Sequence, residues 1–172
     1  MNKNLYFLLL LIVSFSLSTF SQNRGDKFGD HMRYGGSVNL GFSNNFTTIG
    51  VAPSAIYDFY NGFSTGASIS YYYTERKDTF FDYKSNVIGG SLITMYSPLP
   101  YMQLSAEFEQ LNVNRTEGII DIDPYWVSGL YLGIAYFTGN VSLGIRYDVF
   151  YDDGPRGSIY GSAISPVLRA YF

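Results

Sequence analysis

The chain has 172 residues, enough for one domain with a sizeable core, and carries 11 basic against 14 acidic residues for a net charge of −3. It has no Cys and a single His, which excludes a disulfide scaffold, a thiolate zinc site, a thiol nucleophile and a multi-His metal centre. Aromatic residues make up 19% of the chain and charged residues only 15%, and a pI near 5.0 argues against nucleic acid as a partner.

Lys3 is the only charge in residues 1–21, and the apolar run Leu5–Phe15 follows it. That run has signal-peptide length and is well short of the ~20 residues that a spanning helix needs. Small residues surround Phe20, which places a cleavage point between Ser21 and Gln22. Residues 1–21 are therefore expected to be a signal peptide. Residues 22–32 are expected to be a solvated periplasmic lead-in holding Arg24, Asp26, Lys27, Asp30 and the lone His31. Residues 33–172, which open on Arg33, form the folded domain.

After Gln22 no stretch keeps the 3.6-residue apolar period of a helix, and period-2 alternation recurs instead. The first segment alternates Val38, Leu40 and Phe42 with Ser37, Asn39 and Gly41; the second alternates Ile49, Val51, Ala55 and Tyr57 with Thr48, Gly50, Ser54 and Asp58. The third sets Phe63, Ala67, Ile69, Tyr71 and Tyr73 against Ser64, Gly66, Ser68, Ser70 and Tyr72. Ile88, Leu92 and Tyr96 mark the fourth, and Met102, Leu104, Ala106 and Phe108 the fifth. Leu130, Leu132, Ile134 and Tyr136 mark the sixth; Val141, Leu143, Ile145, Tyr147 and Val149 the seventh; Ile164, Leu168, Ala170 and Phe172 the eighth.

These are eight segments of about ten residues, the length of a tilted strand that crosses a bilayer. Tyr60-Asn61-Gly62, Pro98-Leu99-Pro100 and Thr138-Gly139-Asn140 are short turns on one side, and Ser43-Asn44-Asn45 is the one short link on the other side. Thr74–Lys84, Asn112–Pro124 and Asp152–Gly157 read as longer loops on the other side. The pattern predicts an all-β, eight-stranded, antiparallel up-and-down transmembrane barrel with both termini on the short-turn side.

Period 2 does not by itself say which face points inward. A secreted lipocalin-like carrier would line its cavity with the aliphatic face. Here the opposite face is rich in Gly and Ser and poor in charge, which suits a narrow lumen better than water. Tyr57, Phe59, Phe63, Tyr96, Tyr101, Tyr136 and Phe137 gather near the short turns, whereas Tyr71, Tyr73, Trp126, Phe150, Tyr151 and Tyr160 gather toward the loops. Two such groups predict aromatic girdles at two membrane interfaces.

Tyr171-Phe172 ends the final segment, and such an ending resembles the insertion signal of Gram-negative outer-membrane proteins. With the alternation and the girdles, it resembles the small eight-stranded outer-membrane barrels of the OmpX and OmpA-barrel type. That resemblance implies location in the outer membrane, contact with its lipid, and recognition by barrel-insertion machinery during biogenesis. Val51–Tyr57, Gln103–Leu111, Gly139–Asp148 and Pro166–Phe172 are similar to a family of short secreted bacterial proteins often labelled α-ketoglutarate decarboxylase. An enzyme of that activity uses thiamine diphosphate, and no pyrophosphate-and-metal site is legible after residue 21, so no cofactor is expected.

The sequence offers few groups for chemistry. Glu107 and Glu109 lie two apart on one strand and share a face, a spacing that would also fit the carboxylate pair of a glycosidase. Arg146, Asp148 and Arg169 fall on the same inward face, so the expectation is a lumen charge network of these five residues that closes the interior. His31 has no nameable Ser partner, and the acidic pairs Asp121/Asp123 and Asp152/Asp153 do not match a calcium loop. The function expected is that of a non-enzymatic barrel with a structural or interaction role, and no wide pore. An envelope protein complex and no nucleic acid stand as its expected partners. An outer-loop binding or adhesion barrel and a soluble ligand carrier are the alternatives.

Overall fold

The computed structural model describes residues 27–43, 46–76, 83–117, 120–154 and 156–172. The signal peptide expected at residues 1–21, and Arg24 and Asp26 of the expected lead-in, lie outside the described residues. A 3-10 turn occupies Phe28–His31. Eight strands follow: β1 (Met32–Ser43), β2 (Phe46–Asp58), β3 (Phe63–Arg76), β4 (Tyr83–Leu99), β5 (Met102–Glu117), β6 (Ile120–Phe137), β7 (Val141–Asp148) and β8 (Ile164–Tyr171).

Each strand pairs antiparallel with its neighbour in the chain, and β8 pairs back onto β1. The result is a closed all-β up-and-down barrel. Closure satisfies sheet edges that an open eight-strand sheet would leave unpaired. The short turns are built as their residues dictate. Tyr60 and Gly62 take φ of 56° and 84°, and the carboxylate of Asp58 accepts the Tyr60 N–H at 2.8 Å. Gly139, at φ 87°, makes the corresponding turn between β6 and β7.

The alternation separates the two faces. Ile49, Val51, Ile69, Ile88, Leu92, Leu132, Leu143, Ile145 and Ile164 point outward and are exposed. Ser70, Ser91, Ser142 and Ser165 point inward and are buried. Large and small side chains interdigitate inside. A Cβ at Gly50 would run into the Tyr72 ring, and one at Gly129 would run into the Tyr131 ring. The interior is not filled by small and charged residues alone, however. Ile56, Ile93, Met95 and Tyr171 form one buried apolar cluster toward the short-turn end. Tyr72, Val87, Leu111, Val113, Tyr131, Ile159 and Tyr160 form another.

The segments are less uniform than their period suggests. β4, β5 and β6 run for 17, 16 and 18 residues, whereas β7 and β8 have 8 each. The stretch expected as a loop over Asn112–Pro124 is mostly ladder, because β5 continues to Glu117 and β6 begins at Ile120. Polar residues occupy both faces there, so no apolar period marks the strand. Conversely, the last loop is longer than expected and runs from Val149 to Ala163.

Candidate functional site

The most concentrated chemistry lies inside the barrel, between the two apolar clusters. Glu107 projects inward from the middle of β5 and is 3% exposed. Its Oε2 accepts from Arg146 Nη1 at 3.1 Å and from Arg169 Nη2 at 2.9 Å, while Ser91 Oγ donates to Oε1 at 3.3 Å. Glu109 lies two residues on and faces the same way. It accepts a hydrogen bond from the Tyr72 hydroxyl, and its Oε2 faces Arg146 Nη2 at 4.0 Å. That oxygen has no hydrogen-bond partner among the described residues.

Arg146 is the hub. It bridges both carboxylates, donates from Nε to Ser165 Oγ at 3.3 Å, and donates from Nη2 to the Tyr160 hydroxyl. Its guanidinium also lies over the Tyr131 ring at 4.1 Å and the Tyr160 ring at 5.0 Å. Arg169 has a second, longer contact with Ser105 Oγ at 3.5 Å. Two cations therefore meet two anions in a water-poor interior. Such an arrangement is tolerable only because each charge has a partner.

The β7–β8 loop completes the site from above. Ile159 and Tyr160 descend into the lumen, where Thr48 Oγ1 donates to the Ile159 carbonyl at 3.2 Å. The Tyr160 ring meets Tyr72 and Tyr131 edge-on, with centroids 5.8 and 5.9 Å away. This placement corrects the expectation that Tyr160 belongs to an outer aromatic girdle, since it is 3% exposed. The cause is the length of the loop, which lets the side chain turn back over the strand ends.

Four of the five residues expected in the lumen network come together: Glu107, Glu109, Arg146 and Arg169. Asp148 does not join them. It is buried, but its carboxylate accepts from the Phe150 N–H at 3.0 Å and from Ser158 Oγ at 3.3 Å. It lies at the end of β7 and anchors the loop instead. Tyr72, Tyr131 and Tyr160 are partners the sequence reading missed. Tyr72 carried a legible sign, a bulky aromatic on a face otherwise occupied by Gly and Ser. Tyr160 carried none, because a loop has no period.

At the short-turn rim, Arg33 ties the barrel seam. It bonds Asp58 at 3.4 Å, the carbonyls of Gly139 and Tyr171 at 2.8 and 3.1 Å, and Asn140 Oδ1 at 2.9 Å. His31 is not the lone solvated residue expected. Its Nδ1 lies 2.7 Å from the Asp58 carbonyl, and its ring stacks on Tyr57 at 4.9 Å. The register pairs Met32 with Tyr57, which brings the preceding imidazole against that ring. Tyr171 points inward and accepts from Ser54 Oγ at 3.1 Å. Phe172 is exposed and exchanges backbone hydrogen bonds with Tyr34.

The chemical scope of the site follows from its burial. Neither carboxylate reaches solvent, and each is already held by a guanidinium or a phenol. A glycosidase pair would have to meet a sugar. Among the described residues no group of three or more His, Cys, Asp or Glu is placed to hold a metal ion. Two hollows of about 230 and 380 Å³ lie on the outer wall, lined by Leu132, Ile134, Leu143, Ile145 and neighbouring residues of β6–β8, the larger also by Tyr101 and Met102. No protein-family model matches this chain, and no curated protein matches it.

Proposed function

We propose that this chain is an integral outer-membrane β-barrel, closed to solutes, with a structural or interaction role in the cell envelope. One observation carries the reading: below its loop-side margin the outer wall is apolar and exposed, while Glu107, Glu109, Arg146 and Arg169 are inside. Ile69, Leu92, Leu143 and Ile88 are each at least 60% exposed, whereas Arg146 and Glu109 are at most 1% exposed. A barrel surrounded by water would bury the former and expose the latter. In a bilayer the same wall contacts acyl chains, and Tyr34, Tyr96, Tyr136, Trp126 and Tyr71 lie toward its two margins.

Outer-membrane lipid is then the main partner. Insertion machinery acts during biogenesis, an envelope complex is a further partner, and residues 1–21 direct export. A soluble carrier with an aliphatic cavity fits less well, because the aliphatic face points outward and the lumen holds an ion-pair network and two packed clusters. The test is vesicle flotation together with gel mobility of unheated and boiled samples. A floating protein whose band shifts on boiling supports the reading. Recovery as a monodisperse species in plain buffer overturns it.

A second reading, an outer-rim binding barrel, is favoured by one feature. The β6–β7 register begins at Tyr131 and the Val149 N–H still donates to the Leu130 carbonyl, so among the described residues β6 before Leu130 has a ladder partner only on the β5 side. Such an edge suits pairing with an extended peptide. Pull-down of extended peptides by the native chain, abolished by a proline placed at Ser128, tests it.

A further inference from the structure

The outward face of β4–β6 changes character abruptly near the loop end. Below it, Leu104, Ala106 and Phe108 continue the apolar wall on β5. Above Phe108 the next three outward positions on that strand are Gln110, Asn112 and Asn114. Amides are poor strand formers, and three in succession along one face need a reason. A merely water-facing surface would use charge as readily, yet these three positions carry none.

The register shows what surrounds them. Asn112 is flanked by Ile88 on β4 and by Trp126 on β6. One rung toward the loops, Asn114 pairs with Asn86, which pairs in turn with Tyr73; one rung below, Gln110 lies between Gly90 and Ser128. Tyr71 sits across from Ile88 on β3, and its hydroxyl donates to Asn86 Oδ1 at 2.8 Å. Ser128 Oγ donates to Gln110 Oε1 at 2.8 Å. These two bonds occupy the carbonyl oxygens of Asn86 and Gln110 and leave their amide N–H groups as the donors of the patch. Trp126 is 64% exposed and Tyr71 45%. With neighbouring strands about 4.8 Å apart, the rung from Tyr71 to Trp126 spans roughly 14 Å, room for a first sugar ring on Trp126 and for linked rings reaching toward Tyr71.

From this ladder we infer a binding surface for the sugar headgroup of a glycolipid, with Trp126 and Tyr71 stacking on pyranose C–H faces and Asn86, Asn112, Asn114 and Gln110 bonding hydroxyls. Neutral amides bond hydroxyls as both donors and acceptors, and aromatic faces supply apolar contact, so the patch fits an uncharged polyhydroxylated ring. Continuity with the apolar wall below selects a lipid-anchored sugar over a free one. The acyl chains of the ligand lie on Phe108 and Leu92 while its headgroup lies on the next three rungs, from Gln110 to Asn114. The inference rests on the membrane reading above.

Trp126 is the chain's single tryptophan and reports from the β6 end of the patch, beside Asn112. The full chain is refolded into phosphatidylcholine vesicles with increasing fractions of monogalactosyl diacylglycerol, and acrylamide quenching of Trp126 is measured. Quenching falls with galactolipid to a plateau. In Asn112→Ala the half-saturating fraction rises about fivefold, the equivalent of one hydrogen bond of about 1 kcal/mol. Gln110→Ala gives a rise in the same direction and serves if Asn112→Ala does not fold. The inference is overturned if quenching is the same with and without galactolipid, or if both variants match the native curve. It is also overturned if methyl galactoside added to plain vesicles shields Trp126 equally, since the sugar would then need no lipid. Flotation separates this from its premise. A chain that floats with either vesicle but shows no sugar dependence removes only the glycolipid site, whereas a chain that floats with neither removes the membrane reading.

Discussion

Replacing Glu107 with Gln tests the central claim about the lumen. The substitution keeps the shape and removes the charge. Arg146 and Arg169 are 1% and 2% exposed, so neither can recover the lost partner from water. Arg146 keeps Tyr160, Ser165 and the more distant Glu109, but Arg169, among the described residues, has only Ser105 at 3.5 Å beside the uncharged Gln carbonyl. Removing one side of a buried pair costs about 3–5 kcal/mol, and the case lies toward the upper end because Arg169 loses its carboxylate while Arg146 is left with the more distant Glu109. With a urea slope of about 2 kcal/mol/M, the unfolding midpoint in micelles falls by about 2 M. Trp126 fluorescence and gel mobility both follow the transition. The double variant Glu107→Gln/Arg169→Gln restores charge balance, with Arg146 facing Glu109, and should regain at least half of the loss. A midpoint within about 0.3 M of the native protein for Glu107→Gln refutes the argument, as does strict additivity in the double variant.

Tyr160→Ala removes a buried ring from between Tyr72 and Tyr131 and a partner from Arg146. A loss of about 3–5 kcal/mol is expected, with faster hydrogen exchange across residues 149–163; unchanged exchange there would show that the ring does not hold the loop. Gly50→Val pushes a side chain into the Tyr72 ring and should cost about 1–3 kcal/mol, measured as a lower unfolding midpoint. Gly29→Ala is the matched control, because a Cβ there meets nothing within 4 Å. Arg33→Ala releases the rim contacts of β1 with Asp58, the Gly139–Asn140 turn and β8. It is partly exposed, so a smaller loss of about 1–2 kcal/mol is expected, read as a lower folded-band fraction at intermediate urea.

Strand count, strand order and facing were legible because period 2 leaves little freedom once one face is apolar. Val141–Asp148 is the clearest case, since every outward residue is aliphatic or aromatic and every inward one small or charged. Strand length was not legible. Above Phe108 the outward face of β5 turns polar, so Asn112–Thr116 reads as a loop although it pairs residue by residue with β4. The lumen was legible in its charges and not in its packing. Ile56, Ile93 and Met95 lie on the inward face, where an apolar residue breaks no rule of sequence and announces nothing. The loop that delivers Tyr160 was invisible for a different reason. Its position depends on how far β7 and β8 fall short of β6, a property of the whole barrel.

The seam between β1 and β8 has a bearing on assembly. The two strands that meet there are the first and the last to be made, and Arg33 clasps a turn and a strand that arrive more than a hundred residues after it. Until the final hairpin docks, Gly35–Asn39 has no cross-strand neighbour on that side, and Glu107 lacks both of its guanidinium partners. Zipping the cylinder shut and neutralising its interior are thus one event. A chain cut before Arg146 would be left with an open sheet and a stranded carboxylate, not a smaller version of the same protein.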